Sequence, residues 1–554
     1  MKVPSIEALV TLAVISGEIA VAAPDISKRA AVPGTPNSPL LYSQYKDICP
    51  AYEKYAKYQH HPYSDGPMKL PFQRPAPRCR TFESQLVEQV ITEVTGKMKD
   101  KDLARIFENA FPNTVDTTVR WHVDGTQKNK QQALLHWGDK SKWQGAQSFI
   151  VTGDIDAEWL RDSTNQLRQY QPLAKKDKKM FNLILGAINT QAEFVIESPY
   201  CNAFQPPPPS GLAPVNNDQD DEVHPTTEPT VVFECKYELD SLAHFLALGN
   251  QFYAHTGSID FLTGRWHKAL NTLLRTLDEQ EIGTFDLKTG NPNKNKYTFR
   301  RKTQAGTETL TLNGNGNPLN SGTGLIRSAF RPSDDATILG FFIPANAMMS
   351  VELKRAAAML RKNGDAVTAD KLQARGEKIE KGIWEHGVVQ HKTYGEVFAF
   401  EVDGYGSQIM MDDANLPSLL ALPLLGFVAN DDKTYLNTRK MILDKAGNPY
   451  FLKGKDFSAI GGPHIGLWNA WPMSLLVQAM TSDDDEEIMG AVDLVKRASL
   501  LGLVHESINI NRIKDYSRPW FAWANSVFAQ TILDLAARKP HLLFGQGATA
   551  YTIG

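Results

Sequence analysis

Five short polar segments contain the residue types that could do chemistry. Each combines carboxylates with aromatic side chains, glycine or proline, and they cover residues 152–163, 330–335, 411–417, 461–472 and 505–507. Carboxylate, amide and guanidinium groups bind sugar hydroxyls, and tryptophan rings pack against the C–H faces of sugars. Hydrolysis of a glycosidic bond needs one protonated and one ionised carboxyl group. Together the segments favour a carbohydrate pocket with hydrolytic chemistry.

Each segment taken alone also has a purely structural interpretation. Asp334 and Asp335 follow Pro332-Ser333 and could simply begin a helix, whose positive end favours acidic residues. Asp412-Asp413 could likewise begin a helix, and Trp468 and Trp471 could be core residues at helical spacing. Arg161-Asp162 could be a local ion pair, and Glu506 could be a solvent-facing acid. Five such segments in one chain of nearly balanced charge still favour the pocket.

Other kinds of site find little support in the sequence. Asp154-x-Asp156-x-Glu158 copies the first three ligand positions of an EF-hand loop. The sixth and twelfth positions of that loop are glycine and glutamate, but here they are Trp159 and Asn165. The chain also lacks His-Glu-x-x-His, a Walker loop and Gly-x-Ser-x-Gly. We therefore expect no metal site and no cofactor.

The charge balance and the N-terminus indicate where the protein acts. The 554 residues include 59 basic and 62 acidic ones, and no long basic run is present, so we expect neither nucleic acid nor a membrane surface as partner. Residues 1–23 are typical of a signal peptide, with Lys2, an apolar stretch at 8–17 and a small-residue cleavage region at 20–23. No other segment approaches the ~20 apolar residues of a membrane span. We expect a secreted protein.

The cysteines fit this compartment. Cys49, Cys79, Cys201 and Cys235 include no Cys-x-x-Cys pair, and an even number in a secreted chain suggests two disulfides. Of the three possible pairings we favour 49–79 and 201–235, which close loops rich in turns and proline. Buried free thiols are the alternative.

The elements that must position the five segments are mainly helices. Apolar residues recur at helical spacing near 82–94, 180–195, 236–256, 258–280, 344–362, 365–385, 416–427, 468–480, 484–502 and 519–537. Ser482 and the acids that follow it provide a start signal for the 484–502 helix. Because no strand–helix–strand alternation is visible, a bundle, a solenoid or a toroid of paired helices fits better than a parallel sheet.

Strand signals are few. Residues 297–303 and 307–312 flank Ala305-Gly306 and predict one hairpin, and short strands are expected near 148–152 and 389–402. The segment 205–230 is rich in prolines and acids and predicts a loop. We divide the chain into a signal peptide (1–23), a partly flexible N-terminal extension (24–80) and one catalytic domain (81–554).

Seven segments in order along the chain resemble the signature blocks of glycoside hydrolase family 125. They read TGDIDAEWLRDS, ESPYCNAF, FRPSDD, DDANLPSLLALPLLG, GPHIGLWNAWPMSL, HESIN and YSRPWFAWANS. The resemblance implies an all-α fold, an (α/α)6 barrel with a few short β-hairpins. It also implies exo-acting hydrolysis of terminal α-1,6-linked mannose, without a metal and with inversion at the anomeric carbon.

The resemblance also implies roles for individual residues. The general acid matches an aspartate of the Ser-Asp-Asp segment, either Asp334 or Asp335, and the general base matches Glu506. Positions that match sugar contacts are Trp159, Arg161, Asp162, Asp413, Asn415, His464 and Trp471.

Two other functions remain open at this stage, together with a helical scaffold without a site. The chain could be an (α/α)6 glycosidase of another specificity, such as a glucosidase or trehalase, or a mannan-binding module without catalysis. The acids at 334, 335 and 506 argue against the binding module. The expected partners are mannose-containing glycans, and N-glycans, cell-wall mannan and O-glycans are all open as substrates, as is the oligomeric state.

Overall fold

The computed structural model describes residues 49–126 and 142–553. Its α-helices in chain order are α1 (Tyr52–Tyr55), α2 (Gln85–Lys97), α3 (Lys101–Ala110), α4 (Asn113–Thr117), α5 (Leu160–Arg168), α6 (Lys178–Glu197), α7 (Leu239–Thr256), α8 (Gly264–Glu281), α9 (Ile343–Lys362), α10 (Ala366–Gly382), α11 (Leu422–Leu425), α12 (Lys433–Ile442), α13 (Pro472–Met480), α14 (Asp485–Ala498), α15 (Ala522–Arg538) and α16 (Pro540–Phe544).

Short strands connect many of these helices. In chain order they are β1 (Val119–Asp124), β2 (Ala146–Ile150), β3 (Glu158–Trp159), β4 (Ala203–Phe204), β5 (Asp221–His224), β6 (Val232–Glu234), β7 (Thr298–Arg301), β8 (Phe341–Phe342), β9 (Val388–His391), β10 (Gly395–Phe398), β11 (Glu401–Val402), β12 (Gln408–Ile409), β13 (Phe451–Lys453), β14 (Ser458–Ile460), β15 (Asn469–Ala470), β16 (Ile508–Asn509) and β17 (Arg512–Tyr516). They form antiparallel sheets of two or three strands, such as β3-β4-β6 and β15-β16-β17. The chain is therefore mainly helical, but its strands outnumber the few hairpins expected.

The helices begin where side chains cap their free amide groups. Ser84 accepts a hydrogen bond from the Val87 amide at the start of α2, which buries Val87, Val90, Ile91 and Val94 on one face. The cap of α14 differs from the prediction, because Asp484 rather than Ser482 accepts from the Glu487 amide. Ser482 instead donates to the Glu487 side chain at 2.5 Å.

Six of the helices contact one another in a ring-like order. Helix α5 packs against α7, α7 against α9 and α9 against α11, while α13 packs against α15 and α15 returns to α5. The other long helices pack outside these six: α6 on α7 and α8, α10 on α9, and α14 on α13. The apolar side chains between the helices form one extensive buried core.

Two predicted elements are wrong. Strand β7 does not pair with 307–312. It pairs with β5 inside the segment predicted to be a loop, and Arg301 makes a two-pronged ion pair with Asp221 across this pairing. Most of the helix predicted at 416–427 is irregular, and only α11 is helical. Here Asp412 accepts from the amides of Leu419 and Leu420 and so replaces helical hydrogen bonds.

Both favoured disulfides are present, Cys49–Cys79 and Cys201–Cys235. The first ties down the segment before α2, where Tyr52 packs edge-on against Trp520 at 4.7 Å between ring centroids. The predicted signal peptide lies outside the described residues. Among the residues that are described, no helix is long and apolar enough to cross a membrane.

Candidate active site

The residues that begin the inner helices converge on one cavity. Trp159, Trp471 and Phe521 each directly precede a helix, namely α5, α13 and α15, and all three line the cavity. The cavity brings together eight of the ten residues predicted to act on the substrate: Trp159, Arg161, Asp162, Asp334, Asn415, His464, Trp471 and Glu506. Asp335 and Asp413 lie behind the wall, each only 1% exposed.

Two buried acids fix the loops that shape this cavity. Glu158 accepts from the Ile150 amide at 2.9 Å and from the Ser163 hydroxyl at 3.0 Å, which joins β2 to α5. Asp412 holds the loop before α11 as described above. Burial raises the pKa of both carboxyls to about 8. Since neither acid lines the cavity, their role is to hold its walls.

Glu506 is held by one hydroxyl and one cation. Ser517 donates to its Oε2 at 2.6 Å, and Arg518 Nε lies 3.2 Å from its Oε1. A guanidinium at this distance stabilises a negative carboxylate. Arg518 is itself fixed from the other side by Asp154. The arrangement suits a carboxylate that must stay ionised and accept a proton.

Asp334 lines the same cavity as Glu506 and is partly exposed, with 26% of its side chain accessible. Its backbone is left-handed, with φ 68°, which is uncommon for a residue other than glycine. Its Oδ1 lies 3.6 Å from Arg161 Nη2. Burial alone would raise the pKa of Asp334, but Lys236 and Arg161 outweigh burial and lower it to about 2.

Asp335 directly follows Asp334 in the chain but does not line the cavity. Ser333 donates to its Oδ2 at 3.3 Å, and Oδ1 has no partner among the described residues. Burial raises the pKa of Asp335 to about 6. Asp334 is therefore accessible to a substrate, whereas Asp335 has the raised pKa of a group that keeps its proton in mild acid.

Arg161 lies at the centre of a buried acidic cluster. Its Nη1 donates to Glu238, its Nε lies 3.2 Å from Asp162, and its guanidinium stacks on the Trp523 ring at 5.2 Å. Asp162 accepts from Thr152. This network fixes both the arginine and the aspartate that line the cavity.

The tryptophans offer unused hydrogen-bond donors. The indole N–H groups of Trp159, Trp471 and Trp523 are buried and have no acceptor within the described part of the chain, and all three residues line the cavity. Trp468, at the same motif as Trp471, is instead 64% exposed. Unpaired donors beside carboxylates suit a ligand with many hydroxyl groups.

Asn415 enters the cavity through a tight turn. Asp413 Oδ1 accepts from the backbone amide of Asn415 at 3.1 Å and from its side-chain amide at 2.9 Å. Asp413 therefore positions Asn415, and the structure does not place it at the cavity surface.

Sequence reasoning missed several residues of the site. Thr152, Arg518, Phe521 and Trp523 line the cavity, and Glu238 supports it from behind. Arg518 and the two aromatic residues fall in the YSRPWFAWANS block, which contributes to the family resemblance although the resemblance implies no role for them. Glu238 lies in Tyr-Glu-Leu-Asp, which reads as an ordinary acidic helix start. Only the tertiary contact with Arg161 distinguishes it.

A metal-based site has no structural counterpart in the two described stretches. No group of three or more His, Cys, Asp or Glu side chains there is arranged to hold an ion. The residues around the cavity instead balance carboxylates with the fixed cations Arg161 and Arg518.

Comparisons with known proteins agree with this geometry. Residues 100–533 match the family model described as metal-independent alpha-mannosidase, GH125. The chain is 55% identical over 496 residues to the meiotically up-regulated gene 157 protein of Schizosaccharomyces pombe, covering 89% of this chain and 94% of that protein. It also resembles a metal-independent alpha mannosidase of Streptococcus pneumoniae, solved in a non-productive complex with alpha-1,6-mannobiose. That likeness has a TM-score of 0.71 and 30% identity, covering 82% of this chain and 99% of the other.

Proposed function

We infer what this protein does from one premise: it belongs to the GH125 family of metal-independent alpha-mannosidases, and is therefore a glycoside hydrolase. We propose that it is exo-acting and releases terminal α-1,6-linked mannose with inversion. The α-1,6 linkage is supported by the related bacterial enzyme, which was solved with alpha-1,6-mannobiose.

The observation that carries the mechanism is that Asp334 and Glu506 line the same cavity. In the proposed reaction Asp334 gives a proton to the oxygen of the leaving sugar. Glu506 takes a proton from a water that attacks the anomeric carbon on the opposite face. For such an inverting reaction the two carboxyl groups should lie ~6.5–9.5 Å apart, which leaves room for the water. Arg161, Asn415 and the indole N–H groups would bind the hydroxyls of the mannose.

Asp335 is a second candidate for the acid. A specific observation favours it, because burial raises the pKa of Asp335 to about 6, nearer to what a general acid needs. We prefer Asp334 because an acid must reach the leaving oxygen, and Asp335 is only 1% exposed.

Leaving-group dependence distinguishes the two aspartates. Replacement of the true acid by asparagine should slow cleavage of α-1,6-mannobiose by about 10²–10⁴-fold. The same variant should be slowed far less on a dinitrophenyl α-mannoside, whose leaving group needs little protonation. We expect this contrast for Asp334→Asn, whereas Asp335→Asn should slow both substrates alike. The opposite result would transfer the role to Asp335.

The ring-like helix contacts support an (α/α)6 barrel as part of the proposal. A second cavity of about 450 Å³ is lined by residues of all six inner helices: Arg168, Gln251, Met348, Leu425, Met480 and Gln530. A space shared by six helices is what the centre of such a barrel would leave. We also propose that the protein is secreted, because it has two disulfides and a predicted signal peptide. Its proposed substrates are mannose-containing glycans.

Product stereochemistry tests the function directly. The purified protein would be incubated with α-1,6-mannobiose while proton NMR follows the first sugar released. We expect β-mannose to appear before mutarotation produces the α form. First release of α-mannose would contradict inversion, and cleavage of glucosides or trehalose but not mannosides would favour another glycosidase specificity.

A further inference from the structure

A buried carboxyl group that the mechanism above leaves unused lies directly behind Asp334. Glu238 is the residue before α7 and is only 1% exposed. Three donors surround it: Arg161 Nη1 and the Ser241 hydroxyl (3.0 Å) donate to Oε2, and Asn202 Nδ2 donates to Oε1 at 3.2 Å.

Glu238 and Asp334 share two of these donors. Arg161 presents its other terminal nitrogen to Asp334 at 3.6 Å, and Asn202 Nδ2 lies 3.5 Å from Asp334 Oδ1. The same two side chains thus hold both carboxyl groups close together. Two like charges so close in a buried place disfavour ionisation of both groups, so the pair retains one proton.

The surrounding charges decide where that proton resides in the empty site. The charged and titratable groups facing the pair are Arg161, Asp162, Lys236, Asp240, His464 and Arg518. Burial raises the pKa of Glu238 well above the ordinary range of glutamate, and the neighbouring cations keep Asp334 acidic. The proton thus lies on the buried side of the pair, whereas the group that faces the substrate is ionised.

We propose that Glu238 is the proton-holding partner of Asp334 and supplies the proton that Asp334 delivers to the leaving oxygen, within the pair of carboxyl groups that Arg161 and Asn202 hold together. The inference rests on the proposed function, and within it on Asp334 as the acid. Glu238 does not touch the substrate, so it is a positioning and proton-holding residue and not a catalytic one.

The protons balance over one turnover. As the O–C bond to the leaving sugar breaks, Glu238 passes its proton to Asp334 and Asp334 delivers a proton to the leaving oxygen, so that the pair is left without a proton. The attacking water gives its hydroxide to the anomeric carbon and its proton to Glu506. Release of that proton to solvent and uptake of one proton by the Glu238–Asp334 pair restore the enzyme. One water is consumed, with no net change in protons.

The test compares leaving groups and pH profiles for Glu238→Gln, which keeps the size of the side chain but cannot hold an acidic proton. On α-1,6-mannobiose near neutral pH, kcat should fall by about 10²-fold or more. On a dinitrophenyl α-mannoside it should change by less than about threefold, because that leaving group departs without a proton. The alkaline limb of the kcat/KM profile for mannobiose should also move to lower pH, since Asp334 alone loses its proton earlier.

Asp240→Asn is the matched control. Asp240 is buried on the same turn and also faces Arg161, at 3.7 Å, but its side-chain oxygens have no hydrogen-bond partner among the described residues, so it shares no such donor with Asp334. Like Glu238→Gln, Asp240→Asn replaces a buried carboxyl group by an amide of the same size, so a purely electrostatic or packing effect should appear in both variants and on both substrates. If Glu238→Gln slows both substrates equally, or behaves like Asp240→Asn, the proposal is wrong.

The acid assignment and the function can fail separately from this idea. If Asp334→Asn shows the leaving-group contrast and Glu238→Gln does not, only the role of Glu238 is lost. If Asp335→Asn shows the leaving-group contrast, Asp334 is not the acid and the proposed role of Glu238 is wrong with it. If the wild-type protein does not cleave α-1,6-mannobiose, the proposed function itself is wrong.

A measurement on the wild-type protein guards against a variant that does not fold. Neutron diffraction from deuterated crystals at neutral pH should show a deuteron between the carboxyl groups of Glu238 and Asp334. Absence of a deuteron between them would overturn the proposal.

Discussion

At the scale of single residues, the acids of this site differ in what surrounds them. Glu506 has one hydroxyl and one guanidinium as partners, whereas Asp334 lies between cations and a second carboxyl, and Asp335 is sealed from the cavity. Chemically identical groups thus acquire different tasks through their neighbours.

We predict that Glu506→Gln abolishes turnover without abolishing binding. Glutamine keeps the size and one acceptor oxygen but cannot take a proton from water, so kcat on α-1,6-mannobiose should fall by about 10²–10⁴-fold. Calorimetric titration with mannobiose should give a dissociation constant within about tenfold of the Michaelis constant of the wild-type protein. A variant with a near-normal rate would remove Glu506 from the mechanism.

A site residue could be predicted only where the surrounding sequence motif indicates that it lies in the site. Arg161, His464 and Trp471 match sugar-contact positions of the family that the sequence resembles, and all three line the cavity. Glu238 looks like any acid at a helix start, and its burial against Arg161 comes from a distant part of the chain. Asp413 also matches such a position, yet it does not line the cavity and instead holds Asn415.

At the scale of elements, the Cys201–Cys235 disulfide lies next to the catalytic centre. Asn202 donates to Glu238, its Oδ1 accepts from the Lys236 amide at 3.0 Å, and both residues directly adjoin the bonded cysteines. The disulfide therefore keeps together two residues that surround the proposed acid.

We predict that Cys201→Ala/Cys235→Ala loses both stability and activity. Removing the cross-link should cost about 3–4 kcal/mol of unfolding free energy in the chain-entropy model. Displacement of Asn202 and Lys236 should lower kcat/KM for mannobiose by about 10–100-fold. Denaturant unfolding and steady-state kinetics on the folded variant measure the two effects.

Cys49→Ala/Cys79→Ala is the control, because its loop is of similar length, with a sequence separation of 30 against 34. It should lose similar stability but little activity. Equal activity losses in both double variants would contradict a local role for the second disulfide.

The irregular loop before α11 yields a pH prediction. Burial raises the pKa of Asp412 to about 8 in the folded protein, against about 3.9 in an unfolded chain. Folding therefore takes up a proton between these values, and the contribution of Asp412 to stability is present below pH ~4 and is lost as the pH rises towards ~8. Asp412→Asn lacks this titration but also loses one acceptor for the Leu419 and Leu420 amides.

The Tm of Asp412→Asn should accordingly be lower than that of the wild type in mild acid, and the gap should narrow as the pH rises to about 8. Thermal unfolding at a series of pH values measures it. A gap that stays constant or widens with pH would show that the carboxyl is ionised in the folded protein.

The elements that sequence predicted best are the long helices with a continuous apolar face, such as α6, α9 and α15. Prediction failed in two situations: where a strand pairs with a segment far away in sequence, and where a nearby side chain takes over the hydrogen bonds of a helix. Strand β7 pairs with β5, far away in the chain and masked by surrounding prolines, and Asp412 replaces helical hydrogen bonds in a segment whose apolar spacing looked helical.

At the scale of the whole molecule, fixed arginine side chains from distant parts of the chain lie beside the carboxylates of the cavity. We predict that activity on α-1,6-mannobiose is unchanged after dialysis against EDTA, within about twofold, because Arg161 and Arg518 already balance the carboxylates of the cavity. The rate before and after chelation measures this, with a calcium-dependent glycosidase treated in parallel as a control. Loss of activity that calcium or zinc restores would contradict a metal-free mechanism.

The order of the helices around the ring has a consequence for how the protein is made. Helix α15 packs against both α3 and α5, and Glu506 and Arg518 come shortly before it in the chain. A ribosome adds these parts after Asp334 and the first five inner helices. A growing or prematurely terminated chain thus has the proposed acid but neither the proposed base nor the helix that completes the cavity wall. Under the proposed mechanism such a chain cannot cleave a glycan, so activity begins only when synthesis is nearly finished.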